Sequence, residues 1–141
     1  MNKEILQQYI YTETLLSQLY RQVSAVAPSA KERAAFLAFS QESSQNAERL
    51  TQIYQDEFGT NFNPMIPDTI IQGGYYELLN ELLDIELTSA TALRGNTYFQ
   101  TDYNLNEVLR RMADDKMDNI ITILAIMTNY NSKQIEQLQN K

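Results

Sequence analysis

Six polar side chains interrupt four apolar helical stripes in this chain: Glu13, Ser43, Asn46, Glu86, Lys116 and Asn119. Phe36, Phe39, Leu50 and Ile53 mark one stripe at helical spacing, and the same stripe passes through Ser43 and Asn46. Carboxylates on a buried face cannot stay unpaired in low dielectric, so they demand a cation. Two kinds are available, a bound metal ion or an ammonium from the chain itself. Glu13 and Glu86 supply two negative charges, Lys116 supplies one positive charge, and Ser43, Asn46 and Asn119 are neutral hydrogen-bonding groups.

One offset relates these positions. A shift of 73 residues lays Leu6 on Leu79, Ile10 on Leu83, Phe36 on Leu109, Phe39 on Met112, Leu50 on Ile123 and Ile53 on Ile126. The same shift lays Glu13 on Glu86, Ser43 on Lys116 and Asn46 on Asn119. Apolar matches alone are weak, because any two amphipathic helix pairs slide into register. Polar breaks that obey the same shift imply an internal two-fold repeat and one central layer, where all four helices turn a polar residue inward.

Two alternatives compete with this register. Moving the motif by one residue gives Glu42-x-x-Gln45 and Asp115-x-x-Asp118, which also match each other under the shift. With Glu13 and Glu86 they would form an all-oxygen site for calcium, magnesium or manganese. Glu42 and Asp115, however, lie about 100° around their helices from the apolar stripes. The plainer alternative makes Glu13 and Glu86 partly buried helix acids and extends Lys116 to solvent.

The elements that must carry these residues are nearly all helix. Helix 1 is expected from about Lys3 to Ala27, with Leu6, Ile10, Leu16, Tyr20 and Val23 on one face and Pro28 ending it. Ser29-Ala-Lys-Glu32 reads as a capping box opening helix 2, which runs to about Phe58 with Gly59 as its stop. Residues 59–74 hold two prolines and three glycines and are too long for a tight helical hairpin. Helix 3 follows from Tyr75 to about Tyr98, weakened near Gly95. Asn104-Leu-Asn-Glu107 reads as the start of helix 4, which continues to about Asn129, and residues 130–141 form a tail with at most a short exposed helix.

The break at 59–74 has geometric meaning. A helix of roughly 25 residues is about 37 Å long, and sixteen extended residues span roughly 50 Å. The segment can therefore cross the full length of a bundle. The expected fold is a single all-α domain: helix pair 3–58, crossover 59–74 and helix pair 75–129, the ferritin-like variant of the four-helix bundle.

Composition removes several functions. The chain has 141 residues, a net charge of −7, no cysteine and no histidine. Without cysteine or histidine there is no disulfide, no thiolate or imidazole ligand, and no Ser-His-Asp or Cys-His set. The acidic balance argues against nucleic-acid or anionic-membrane partners. There is no glycine-rich phosphate loop; Gly73-Gly74 is a lone pair at a helix start. Tyr9, Tyr11, Tyr75 and Tyr76 read as packing residues, Asp114-Asp115 as a solvated face and the five methionines as core filler. The polar N-terminus and the lack of a long apolar run lead us to expect a cytoplasmic protein.

With this layer in place, the chain resembles the ferritin-like superfamily, in its rubrerythrin-type branch of small bacterial proteins, over nearly its whole length. That family carries one glutamate on helices 1 and 3 and Glu-x-x-His on helices 2 and 4, and together these hold two iron or manganese ions. The resemblance puts Glu13 and Glu86 at the single-glutamate positions, Ser43 and Asn46 at the first Glu-x-x-His, and Lys116 and Asn119 at the second. Asn46-Ala47-x-x-Leu50 is similar to the family's His-Ala-x-x-Leu continuation. Both histidines are asparagine here, and the two motif glutamates are serine and lysine. The cysteine-bearing rubredoxin module of true rubrerythrins is missing.

The resemblance therefore implies a degenerate, metal-free site in a non-enzymatic protein with a binding or scaffold role, for which a homodimer is one form. In it the Lys116 ammonium stands where the metal was, within reach of Glu13, Glu86 or both. The remaining negative charge is removed by protonation of one glutamate or is bonded by a nearby tyrosine such as Tyr9 or Tyr20. The opposing reading is a di-iron or di-manganese oxidoreductase or metal-binding protein that uses Glu13, Glu42, Glu86, Asp115 and Asp118.

Overall fold

A computed structural model describes residues 2–68, 73–97 and 102–140. It contains four α-helices, α1 (Lys3–Val26), α2 (Ala30–Phe58), α3 (Tyr75–Thr97) and α4 (Tyr103–Gln139), and no strand among the described residues. None of these helices is long and apolar enough to cross a membrane.

Local chemistry explains the boundaries. Asn2 caps α1 by accepting from the Glu4 amide at 2.8 Å, and Pro28 follows the last turn. Ser29 caps α2, its hydroxyl accepting from the Glu32 amide at 3.1 Å. The Glu32 carboxylate accepts from the Ser29 hydroxyl and also from the Tyr75 hydroxyl at 3.0 Å. The Ser29 half of the expected capping box is present, but the Glu32 carboxylate bonds the Ser29 hydroxyl and Tyr75. Gly59 ends α2 at φ 71°, and its amide donates to the Gln55 carbonyl at 2.8 Å. Only glycine adopts this left-handed turn without cost, so Gly59→Ala should lower stability by about 1 kcal/mol in a urea titration. An unchanged midpoint would show that the cap is dispensable.

Two boundaries differ from the sequence reading. The cap of α4 is Asp102, whose carboxylate accepts from the amides of Asn104 and Leu105 at 3.0 and 3.2 Å, so Asn104 lies inside the helix rather than before it. A carboxylate serves two amides at once and is favoured by the helix dipole. The other end is also displaced. α4 does not stop near Asn129 but runs unbroken to Gln139, 37 residues in all. The segment Asn129-Tyr-Asn-Ser132 is a poor helix former, but it contains no glycine or proline to break the run. The expected end of helix 3 at Tyr98 and part of the expected crossover, residues 69–72, lie outside the described residues.

The packing pairs α1 with α2 and α3 with α4 most extensively, then α1 with α3 and, at fewest points, α2 with α4. Among the described residues, consecutive helices α2 and α3 are not backbone neighbours. The interior falls into two apolar clusters, each fed by all four helices. One gathers Leu16, Tyr20, Phe36, Leu79, Leu82 and Ile123, and the other Leu6, Ile10, Leu50, Leu93, Leu109 and Met112. Between these clusters, each helix turns a buried or partly buried polar residue inward: Glu13, Ser43 and Asn46, Glu86, and Lys116 and Asn119.

Candidate functional site

The stripes that build the apolar clusters also bring the interrupting residues together. Turns of α1 at Glu13, α3 at Glu86 and α4 at Lys116 face the same point between the clusters. The Lys116 Nζ lies 2.8 Å from Glu13 Oε1 and 2.9 Å from Glu86 Oε1, and the three side chains are 2%, 1% and 0% exposed. The plainer alternative is thereby corrected: Lys116 does not extend to solvent, and both glutamates are fully buried. Leu109, Met112 and Ile123 hold the same face of α4 inside, leaving the lysine no route outward.

Further donors complete the layer. The Tyr20 hydroxyl donates to Glu86 Oε2 at 2.8 Å, and Asn119 Nδ2 donates to the same oxygen at 3.2 Å. Glu86 thus collects hydrogen bonds from a lysine, a tyrosine and an asparagine. Asn46 Nδ2 donates to Glu13 Oε1 at 3.3 Å. Ser43 is buried on the same helix, one turn before Asn46. Tyr9, the other tyrosine considered, serves elsewhere: its hydroxyl donates to the Ala92 carbonyl at 3.2 Å and accepts from the Asn96 amide.

The shifted set divides. Glu42 is half-buried and its Oε1 accepts from Asn119 Nδ2 at 3.2 Å, so the glutamate reaches the layer from beside the stripe. Its long side chain covers the angular offset that the sequence reading held against it. Asp115 is half-exposed, and Gln45 and Asp118 are exposed. Among the described residues, no three His, Cys, Asp or Glu side chains converge in the manner of a metal site.

Charge decides the protonation of the layer. Two buried carboxylates and one ammonium leave one negative charge, and Glu42 adds another nearby. Burial pushes the Glu13 carboxyl above the usual range against the pull of Lys116, and the Glu86 charge adds to the rise. Glu13 Oε2 is also a buried oxygen with no partner. Glu13 is therefore the less well satisfied of the two buried carboxyls. Burial would lower the Lys116 ammonium, but Glu13 and Glu86 more than offset it and hold it above the ordinary lysine value. Burial and the adjacent Glu86 push the Tyr20 phenol well up, and burial raises Glu42.

One polar contact escaped the sequence reading. Ser40 Oγ donates to the Ser17 carbonyl at 2.7 Å, and the two hydroxyls lie 3.4 Å apart. These buried serines sit next to the layer and let α1 and α2 approach closely. The signal was present: Ser17 follows Glu13 by four residues and Ser40 precedes Ser43 by three, so both extend the same polar seam. Comparison with protein-family models, curated proteins and solved structures gives no match for this chain.

Proposed function

We propose that the chain is a ferritin-like four-helix bundle whose di-metal centre has been replaced by an internal ion-pair cluster, and that it works without chemistry, as a binding or scaffold protein. In this reading residues 59–74 cross the length of the bundle and the two helix pairs are copies of one repeat. The observation that carries it is the Lys116 ammonium, held between a glutamate of the first pair and the matching glutamate of the second. That is the place a dication would take between bridging carboxylates.

The residues do not fit a di-metal centre. A fixed ammonium 2.8 and 2.9 Å from the two buried glutamates repels a second cation. Asn46 and Asn119 point amide nitrogens at the carboxylates, as donors to the cluster rather than ligands to an ion. Glu42 is the strongest support for the opposing oxygen-ligand reading, and its bond to Asn119 gives it a role without an ion.

Metal content tests the proposal. Protein purified without chelators should carry well under one equivalent of iron, manganese or zinc. Added Mn²⁺, Fe²⁺ or Zn²⁺ should leave Tm nearly unchanged, since tight binding to the folded state would raise it by mass action. A stoichiometric rise in Tm that disappears in Glu13→Ala or Glu86→Ala would reverse the reading in favour of a working metal site.

A further inference from the structure

Among the described residues, the C-terminal half of α4 touches α3 only around Tyr76, through Tyr130 and Asn131, and leaves large apolar side chains open. Residues 128–140 are exposed throughout, yet they stay helical to Gln139. Large apolar side chains also lie open on this half: Ile121 is 61% exposed, Leu124 46%, Ile135 55% and Leu138 71%.

Their spacing is regular. Positions 121, 124, 128, 131, 135 and 138 alternate steps of three and four, and they hold Ile, Leu, Thr, Asn, Ile and Leu. Such alternation is the seam of a helix that packs lengthwise against another helix. The sequence of this seam is also self-complementary when reversed. Laid antiparallel on a second copy about a point between Asn129 and Tyr130, Ile121 faces Leu138, Leu124 faces Ile135 and Thr128 faces Asn131, each pair occurring twice. Apolar meets apolar at the outer layers and polar meets polar at the centre, as a two-fold interface requires.

The central polar pair can be satisfied. The Thr128 hydroxyl donates to the Leu124 carbonyl at 2.8 Å, which leaves its lone pairs open. Asn131 spends one amide hydrogen on the Tyr76 hydroxyl at 3.4 Å and keeps a second. Charge selects the antiparallel direction. The side chains of residues 130–141 are close to neutral in sum, Lys133 and Lys141 against Glu136, whereas those of residues 1–129 carry −8. Antiparallel pairing lays the near-neutral, Lys133-bearing end of each copy along the acidic body of the other. Parallel pairing would bring the two acidic bodies together.

We propose that the chain forms a two-fold homodimer by antiparallel pairing of the α4 seam Ile121, Leu124, Thr128, Asn131, Ile135 and Leu138. The buried Lys116 cluster takes no part, so the dimer stands or falls independently of the function proposed above. The wild-type protein should sediment as a dimer in the micromolar range. Ile135→Lys with Leu138→Lys should weaken association by more than about a hundredfold, since each copy loses two apolar contacts. Both positions are exposed in the single chain, so the variant should keep a folded circular dichroism spectrum. The chain has no cysteine, which makes the direction readable by crosslinking. Under mild oxidation, Leu124→Cys mixed with Ile135→Cys should give a disulfide-linked pair, and either variant alone should give little. A wild-type protein that stays monomeric, a double-lysine variant that remains dimeric, or single variants that crosslink to themselves would each overturn the proposal.

Discussion

Replacing Lys116 with methionine should lower the unfolding free energy by about 3 kcal/mol in a urea titration, the scale for removing one partner from a buried ion pair. The ammonium is 2% exposed and bonds both glutamates within 2.9 Å. Without it, two carboxylates remain in a dry layer with only Tyr20, Asn46 and Asn119 as donors. Substituting Glu13→Gln and Glu86→Gln in the same chain should recover much of the loss, because no uncompensated charge then stays inside. The pH dependence carries the same information. Lys116 is held above its ordinary 10.5 and Tyr20 above its ordinary 10.0. Groups raised on folding stabilise fully below their unfolded pKa, and that contribution is lost as pH rises through the folded value. Wild-type stability should therefore fall as pH climbs above about 10.5, and Lys116→Met should lose the lysine part of that fall. A methionine variant within about 0.5 kcal/mol of wild type, the range of surface changes, would show that the lysine has no buried partners.

Lys116→Glu is the harsher change and the sharper test of descent from a metal site. It replaces the one cation of the layer with a third acid, so in metal-free buffer the variant should be less stable than Lys116→Met. Three glutamates around one point are a plausible oxygen set for a hard dication. Added Mn²⁺ should then raise Tm, with about 2.7 kcal/mol recovered at a free concentration one hundred times the dissociation constant. Wild-type protein should show no such rise. If the variant unfolds regardless of Mn²⁺, Zn²⁺ or Ca²⁺, the layer has no memory of metal geometry and the ferritin-like reading loses its main support.

The central layer was legible because polar residues break apolar stripes at matched positions. Glu13, Glu86 and Lys116 meet as that pattern implies, and Tyr20 was one of two tyrosines within reach. The bond from Asn119 to Glu42 was not legible, because angular position on a helix says little about where two methylenes can carry a carboxylate. Asp102 was overlooked for a different reason: the Asn-x-x-Glu pattern at Asn104 imitated a cap two residues too late. The continuation of α4 had no positive signal, only the lack of a breaker. Its exposed seam was hidden because Thr128 and Asn131 interrupt the apolar repeat, and a stripe that contributes nothing to the chain's own core attracts no notice when the core is being traced.

The division of the interior into two apolar clusters also fixes how the helices align along their length. Leu, Ile and Phe tolerate sliding: a helix displaced by one turn, about 5.4 Å, still finds apolar neighbours. A displaced α4 would drive the Lys116 ammonium into the cluster of Leu79 and Ile123 or that of Leu50 and Leu109, with no carboxylate to meet it. The charged layer therefore works like the notch of a vernier, selecting one longitudinal setting among several that grease alone would accept. The uncharged Glu13→Gln, Glu86→Gln, Lys116→Met chain removes the notch. It should melt near the wild type yet show broadened methyl resonances in NMR spectra, as helices sample neighbouring settings.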